Sequence, residues 1–162
     1  MDFNTFQQRL NEKMTEINTF VRDDVPEIIG VEAVNFFKDS FDKESFEGNP
    51  WQDVKRRDPN SPWYGFSAGA KKNFSDARTT AKILSGETGE LKEAITFRKE
   101  PGAVTIVNEK PYAAVHNYGL QAKIFGKKEF KMPQRTFMEY SNELQDNIDS
   151  KIQNEITNII KK

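Results

Sequence analysis

The hydrophobic period of this chain changes twice, and the change restricts its fold more than any single motif does. Phe3, Phe6, Leu10, Met14, Ile17 and Val21 recur at steps of three and four. Ile95, Phe97 and Lys99 then alternate with Thr96 and Arg98, and Val104 and Ile106 with Thr105 and Val107. Leu144, Ile148, Ile152, Ile156 and Ile159 return to the first rhythm. A 3.6-residue repeat lies along one side of a helix, whereas a period of two puts every second residue on one side of a strand. The pattern therefore predicts an α+β fold: a small antiparallel β-sheet packed with two N-terminal helices and a long C-terminal helix, with a long irregular loop in the middle.

The first helix is expected to bury its stripe and to be interrupted at Asp23 and Asp24. Pro26 suits the first turn of a second helix, where its missing N–H would be unpaired anyway. That helix carries Ile28, Ile29, Ala33, Phe36, Phe37 and Phe41 on a wide packing face and ends before Gly48 and Pro50. In ILSGETGELKEAI, Thr88 is a candidate cap for a single helical turn. Glu100-Pro101-Gly102-Ala103 fits a type II turn closing an antiparallel hairpin. A longer loop serves equally, since type II turns match strand twist poorly. The stretch from Gln121 to Met132 reads as an irregular arm or a hairpin of short strands ending at Pro133. Ser141 is the candidate N-cap of the last helix, with Glu143 near the positive end of its dipole.

From Pro50 to Lys82 the periodicity disappears. Long stretches without secondary structure are uncommon inside a compact domain and tend to be functional or disordered. This one holds seven Lys or Arg (Lys55, Arg56, Arg57, Lys71, Lys72, Arg78, Lys82) against Asp53, Asp58 and Asp76. Its net charge is +4, which leaves −5 for the remainder of a chain whose total is −1. Trp51, Lys55, Arg56, Arg57, Trp63, Tyr64, Lys71 and Lys72 are the candidates there for an interface or a nucleic-acid contact. Three readings stand side by side: a solvated mobile loop, a surface on which bases stack and phosphates pair, and a segment that orders against a partner chain. At 162 residues the chain fits a single domain, with 1–48 helical, 50–82 the basic aromatic loop, and 83–162 the sheet and last helix. Apolar residues make up 36 %, so the core is modest, and thirteen phenylalanines supply much of it.

The chemistry available is narrow. There is no cysteine and only one histidine, His116. Disulfides, thiolate metal sites and a cysteine nucleophile are excluded, and a reducing compartment is favoured. The N-terminus lacks the pattern of a signal peptide, and no run approaches the ~18 apolar residues of a membrane span. Catalysis by His116 needs an activated nucleophile, an orienting carboxylate or further metal ligands. The clustered acids, Asp23 with Asp24 and Asp39 with Asp42, are explained by caps and solvated faces. An HN pair with a single histidine falls short of a nuclease motif. Gly86 and Gly89 are too few and wrongly spaced to cradle phosphate. No catalytic group, cofactor or metal is expected.

The order of segments resembles the virion morphogenesis or tail-completion family of tailed phages of the Mu type. Leu84 with Thr88, Gly89 and Leu91 precedes the strands; Tyr112 and Ala113 with His116 and Gly119 follows them; Pro133, Arg135 and Phe137 open the last segment. Gln134 departs from the pattern by separating Pro133 from Arg135, and Leu120 stands where a second glycine is common. The resemblance implies a structural protein with no catalytic role, completing the tail or joining it to the head. It implies a homo-oligomeric ring among other tail or neck proteins, in a virion assembled in the bacterial cytoplasm. DNA contact is not indicated by it. On this reading His116 is a scaffold residue: Tyr112 and Tyr118 pack beside it, Gly119 turns the backbone, and Arg135 pairs with an acid or carbonyl. The 50–82 loop and the Gln121 to Met132 stretch would be the arms that reach a neighbour.

Overall fold

The computed structural model describes residues 2–66, 74–86, 88–100, 102–124, 126 and 128–162. Helix α1 spans Phe3–Thr19, opened by Asp2, whose Oδ1 accepts the Thr5 N–H at 2.8 Å. The interruption expected at Asp23 and Asp24 is not there. Phe20–Asp24 forms a π turn that runs directly into α2, Val25–Lys43. Pro26 is the cause: it has no N–H for the carbonyl four residues back, and a proline inside an α-helix normally breaks it. Just before it the Val25 N–H reaches five residues back, to Phe20 O. The wider turn lets the helix pass the proline.

The chain divides into two compact units, the first comprising Met1–Phe36, Thr96–Val107 and Tyr140–Lys162, the second Phe37–Ile95 and Asn108–Glu139. The division falls within α2. The first unit holds a two-stranded sheet made by the third and fourth strands of the chain, β3 (Ile95–Glu100) and β4 (Ala103–Asn108). Of its link, Pro101 lies outside the described residues and Gly102 takes φ +72°. Gly30 lets α2 approach this sheet, since a Cβ at that position would stand 2.3 Å from the Phe97 ring. Helix α6, the sixth and last (Asn142–Lys161), begins as expected at Ser141, whose Oγ accepts the Leu144 N–H at 3.1 Å. Leu144, Ile148 and Ile159 of its stripe are buried. It packs against α1, where Lys13 Nζ donates to Ile159 O at 2.8 Å, and Lys151 pairs with Glu32 of α2.

The stripe of α1 is corrected by the structure. None of that helix's residues is buried, and Phe3, Phe6, Leu10 and Met14 stay 76, 54, 48 and 55 % exposed. Helical amphipathicity names the face that seeks a partner; it does not say that the partner is in the same chain.

In the second unit Phe41 meets Trp51 edge-on at 5.4 Å between ring centroids and Phe137 at 5.0 Å, while Phe37 stacks on Phe46. β1 (Ser45–Phe46) and β2 (Asn49–Pro50) pair antiparallel. So do β5 (Gln121–Ile124) and β6 (Lys128–Lys131), with Gln121 opposite Lys131. The hairpin alternative for that stretch is therefore the one adopted. The described parts of the irregular 50–82 loop also carry short local elements: a 3₁₀ turn at Lys55–Arg57, a bridge between Phe66 and Phe74, and α3 at Asp76–Thr80. Its order comes from side chains reaching distant backbone, which leaves no periodic trace. Between α3 and β3 lies α4 (Glu90–Glu93), and α5 (Ala113–Tyr118) precedes β5. The architecture is α+β, with small antiparallel strand pairs and long helices at both ends.

Candidate functional site

Residues of all three motifs converge on the second unit. The Y-A-x-x-H-x-x-G stretch forms α5, which ends because Gly119 takes φ +64°. Gly119 is doubly constrained, since a Cβ there would also lie 2.9 Å from the Gln134 side chain and 3.0 Å from its backbone. The chain returning through 132–138 is laced to α5. Arg135 N–H donates to His116 O at 2.8 Å, and Met132 N–H to Leu120 O at 3.0 Å. Asn117, 3 % exposed, completes the lacing: its Oδ1 accepts the Phe137 and Met138 N–H groups at 2.9 and 3.0 Å, and its Nδ2 donates to Met138 O. This side-chain amide does the work of a paired strand, satisfying backbone groups that burial would otherwise leave open.

The third motif is then fixed from the other side. Phe137 is 1 % exposed against Phe41. Arg135, 5 % exposed, donates Nε and Nη2 to Gln52 O, and Trp51 Nε1 donates to Thr136 O at 2.7 Å. The pairing expected of Arg135 is thus with a carbonyl. Pro133 lies on this returning segment, and Ala113 is buried at the start of α5.

The first motif supplies the opposite wall. Thr88 does not cap the following turn; Gly89, at φ +69°, takes the N-cap position with no side-chain bond. Glu90's carboxyl is held below its ordinary value by Lys110 and, more weakly, by the Thr88 hydroxyl. Leu91 is buried, and its carbonyl accepts from Asn108 Nδ2. Leu84 sits at φ +59°, a left-handed conformation unusual for a leucine.

Between these walls is a cleft of about 350 Å³. Leu84, Thr88, Leu91, Tyr112, His116 and Arg135 line it, joined by Val54, Arg56 and Arg78 from the basic segment. Tyr112 meets the His116 ring edge-on at 6.2 Å, whereas Tyr118 is 53 % exposed. Burial, and secondarily Arg135, pushes the His116 pKa down, so the imidazole is held neutral. A larger depression of about 680 Å³ runs along polar residues of α1 such as Gln7, Asn11 and Thr15. It is bounded by one helix alone and gathers no motif residue.

The basic segment is largely committed to its own unit. Arg57 forms a two-pronged pair with Glu44 and also donates to Ala81 O; Glu44 in turn accepts the Ile83 N–H. Arg56 donates to Arg78 O and Lys82 O. Trp51 is in the core, Trp63 packs on Phe66 and Tyr64 on Phe74, and Lys55 is exposed. Lys71 and Lys72 lie outside the described residues. Sequence reasoning missed Asn117, Glu44 and the cleft role of Arg78. The parts of Glu44 and Asn117 are set by contacts 13 to 39 residues away along the chain, and only the position of Asn117 inside a motif hinted at any of the three.

Comparison with known proteins adds one finding: residues 2–157 match the phage virion morphogenesis family. No curated protein and no solved structure gives a significant match.

Proposed function

The chain belongs to the phage virion morphogenesis family, and on that premise we propose that it is a ring-forming subunit that completes the tail or joins it to the head. The family is structural and non-catalytic, and its members assemble with other virion proteins. The observation that carries the finer reading is the uncovered stripe of α1. Aromatic side chains bury about 150–250 Å² each, so Phe3, Phe6, Leu10 and Met14 together offer on the order of 500 Å² of apolar surface. That is at the upper end of what a monomer leaves exposed, and more than half of the ~800 Å² one partner gives to a standard interface.

A second copy suits this stripe. The same stripe on a neighbour, or another apolar face of it, can cover these residues. Unlike surfaces meeting head to tail close into a ring when the rotation between copies closes.

Negative-stain images and native mass spectra over a range of concentrations test the reading. Closed oligomers that bind purified tail tubes are the expected result. A monomer at every concentration that ignores tail tubes is the opposing one.

A further inference from the structure

Among the described residues, the motif cleft gathers three guanidinium groups, those of Arg56, Arg78 and Arg135. None of the three is paired to a carboxylate among the described residues. Arg56 and Arg135 donate only to backbone carbonyls, and Arg78 gives Nη1 to Gly86 O at 3.0 Å. Glu90, the one acid among the described residues of the wall, is already tied to Lys110 at 2.7 Å. Two polar atoms here are buried without any hydrogen-bond partner: Arg78 Nε and His116 Nδ1. Native proteins leave few such groups, and each calls for an explanation such as a bound guest. Leu84 adds a third sign: its backbone is left-handed, at φ +59°, and strain of this kind gathers at ligand clamps.

We propose that this cleft binds a carboxylate carried on a polypeptide, an acidic side chain or a chain terminus of a neighbouring protein. A carboxylate is planar and acceptor-only, and its two oxygens fit the fork of a guanidinium. Its oxygens face the guanidinium groups that line the cleft, those of Arg78 and of Arg56 or Arg135. The apolar wall of Leu84, Leu91 and Val54 accommodates the aliphatic stem or an apolar neighbour of the acid. About 350 Å³ suits one or two side chains, whereas a nucleic-acid backbone presents a row of phosphates that so local a cleft cannot follow. Only the source of the acid rests on the assembly reading: a second copy, or another protein of the virion.

The test is an NMR titration of the intact protein, following the Arg78 Nε–Hε signal and the His116 ring. Sodium acetate is compared with sodium chloride at equal ionic strength, and with inorganic phosphate and a short DNA duplex in separate arms. Saturable shifts with acetate, absent with chloride, are expected. No response to acetate, an equal response to chloride, or a response confined to the duplex overturns the proposal, whether or not rings form. Sedimentation of Arg78→Gln then separates the sources. Association weakened tenfold or more identifies the acid of a second copy; unchanged association, with the wild-type acetate response intact, assigns it to a different chain.

Discussion

Asn117 and His116 are neighbours with opposite duties. Asn117 closes three hydrogen bonds to the 137–138 backbone, two of them accepted by a single oxygen. Removing it strands buried N–H groups, so Asn117→Ala should destabilise the fold by about 2–3 kcal/mol, read as a lower urea midpoint. His116 acts through its charge state. Burial and Arg135 lower its pKa from 6.5, so the unfolded chain takes up the proton first. The stability it supports is complete above pH 6.5 and is lost as pH falls below that value toward the folded-state pKa. Denaturation at a series of pH values should show this decline in the wild type and flatten it in His116→Gln. Glu44, held low by Arg57 and then by the Ile83 N–H, has the same sign in a more acid window. Its contribution is present above 4.5 and disappears as pH drops through its depressed pKa, and Glu44→Gln should remove that second decline. The motif residues were legible one by one in the sequence; that they share a cleft was not. The lacing between α5 and 132–138 spans about twenty residues and runs mostly through backbone and amide groups, to which hydrophobic pattern is blind.

Among the elements, those with a long regular period were read correctly. The C-terminal helix starts at Ser141 as its cap predicts, and the strands at 95–108 follow their alternation. Where local chemistry pointed two ways, the reading failed. Pro26 looked like the start of a helix and is instead carried through a π turn, in which the Val25 N–H reaches Phe20 O. The 50–82 segment looked featureless because arginine-to-carbonyl bonds order it. Gly30 escaped notice altogether, since glycine in a helix reads as a defect. Here it admits the Phe97 ring. Gly30→Ala should therefore lower stability by about 1–3 kcal/mol despite alanine's better helix propensity, and a thermal unfolding curve decides the sign.

At the scale of the whole molecule, the account depends on α1 being finished by another subunit. The family membership makes assembly with other virion proteins the natural setting, and the exposed stripe from Phe3 to Met14 is where the proposal puts one contact. Since α1 buries none of its own residues, changing that face leaves the core of each unit untouched. The most direct measurement is sedimentation velocity of the wild type beside a Phe6→Asp, Leu10→Asp double variant, with a urea melt of both. Burying two such side chains is worth about 3 kcal/mol or more, so the variant should associate at least ~100-fold more weakly while its urea midpoint stays close to that of the dissociated wild type. A variant that assembles as readily as the wild type would contradict the account.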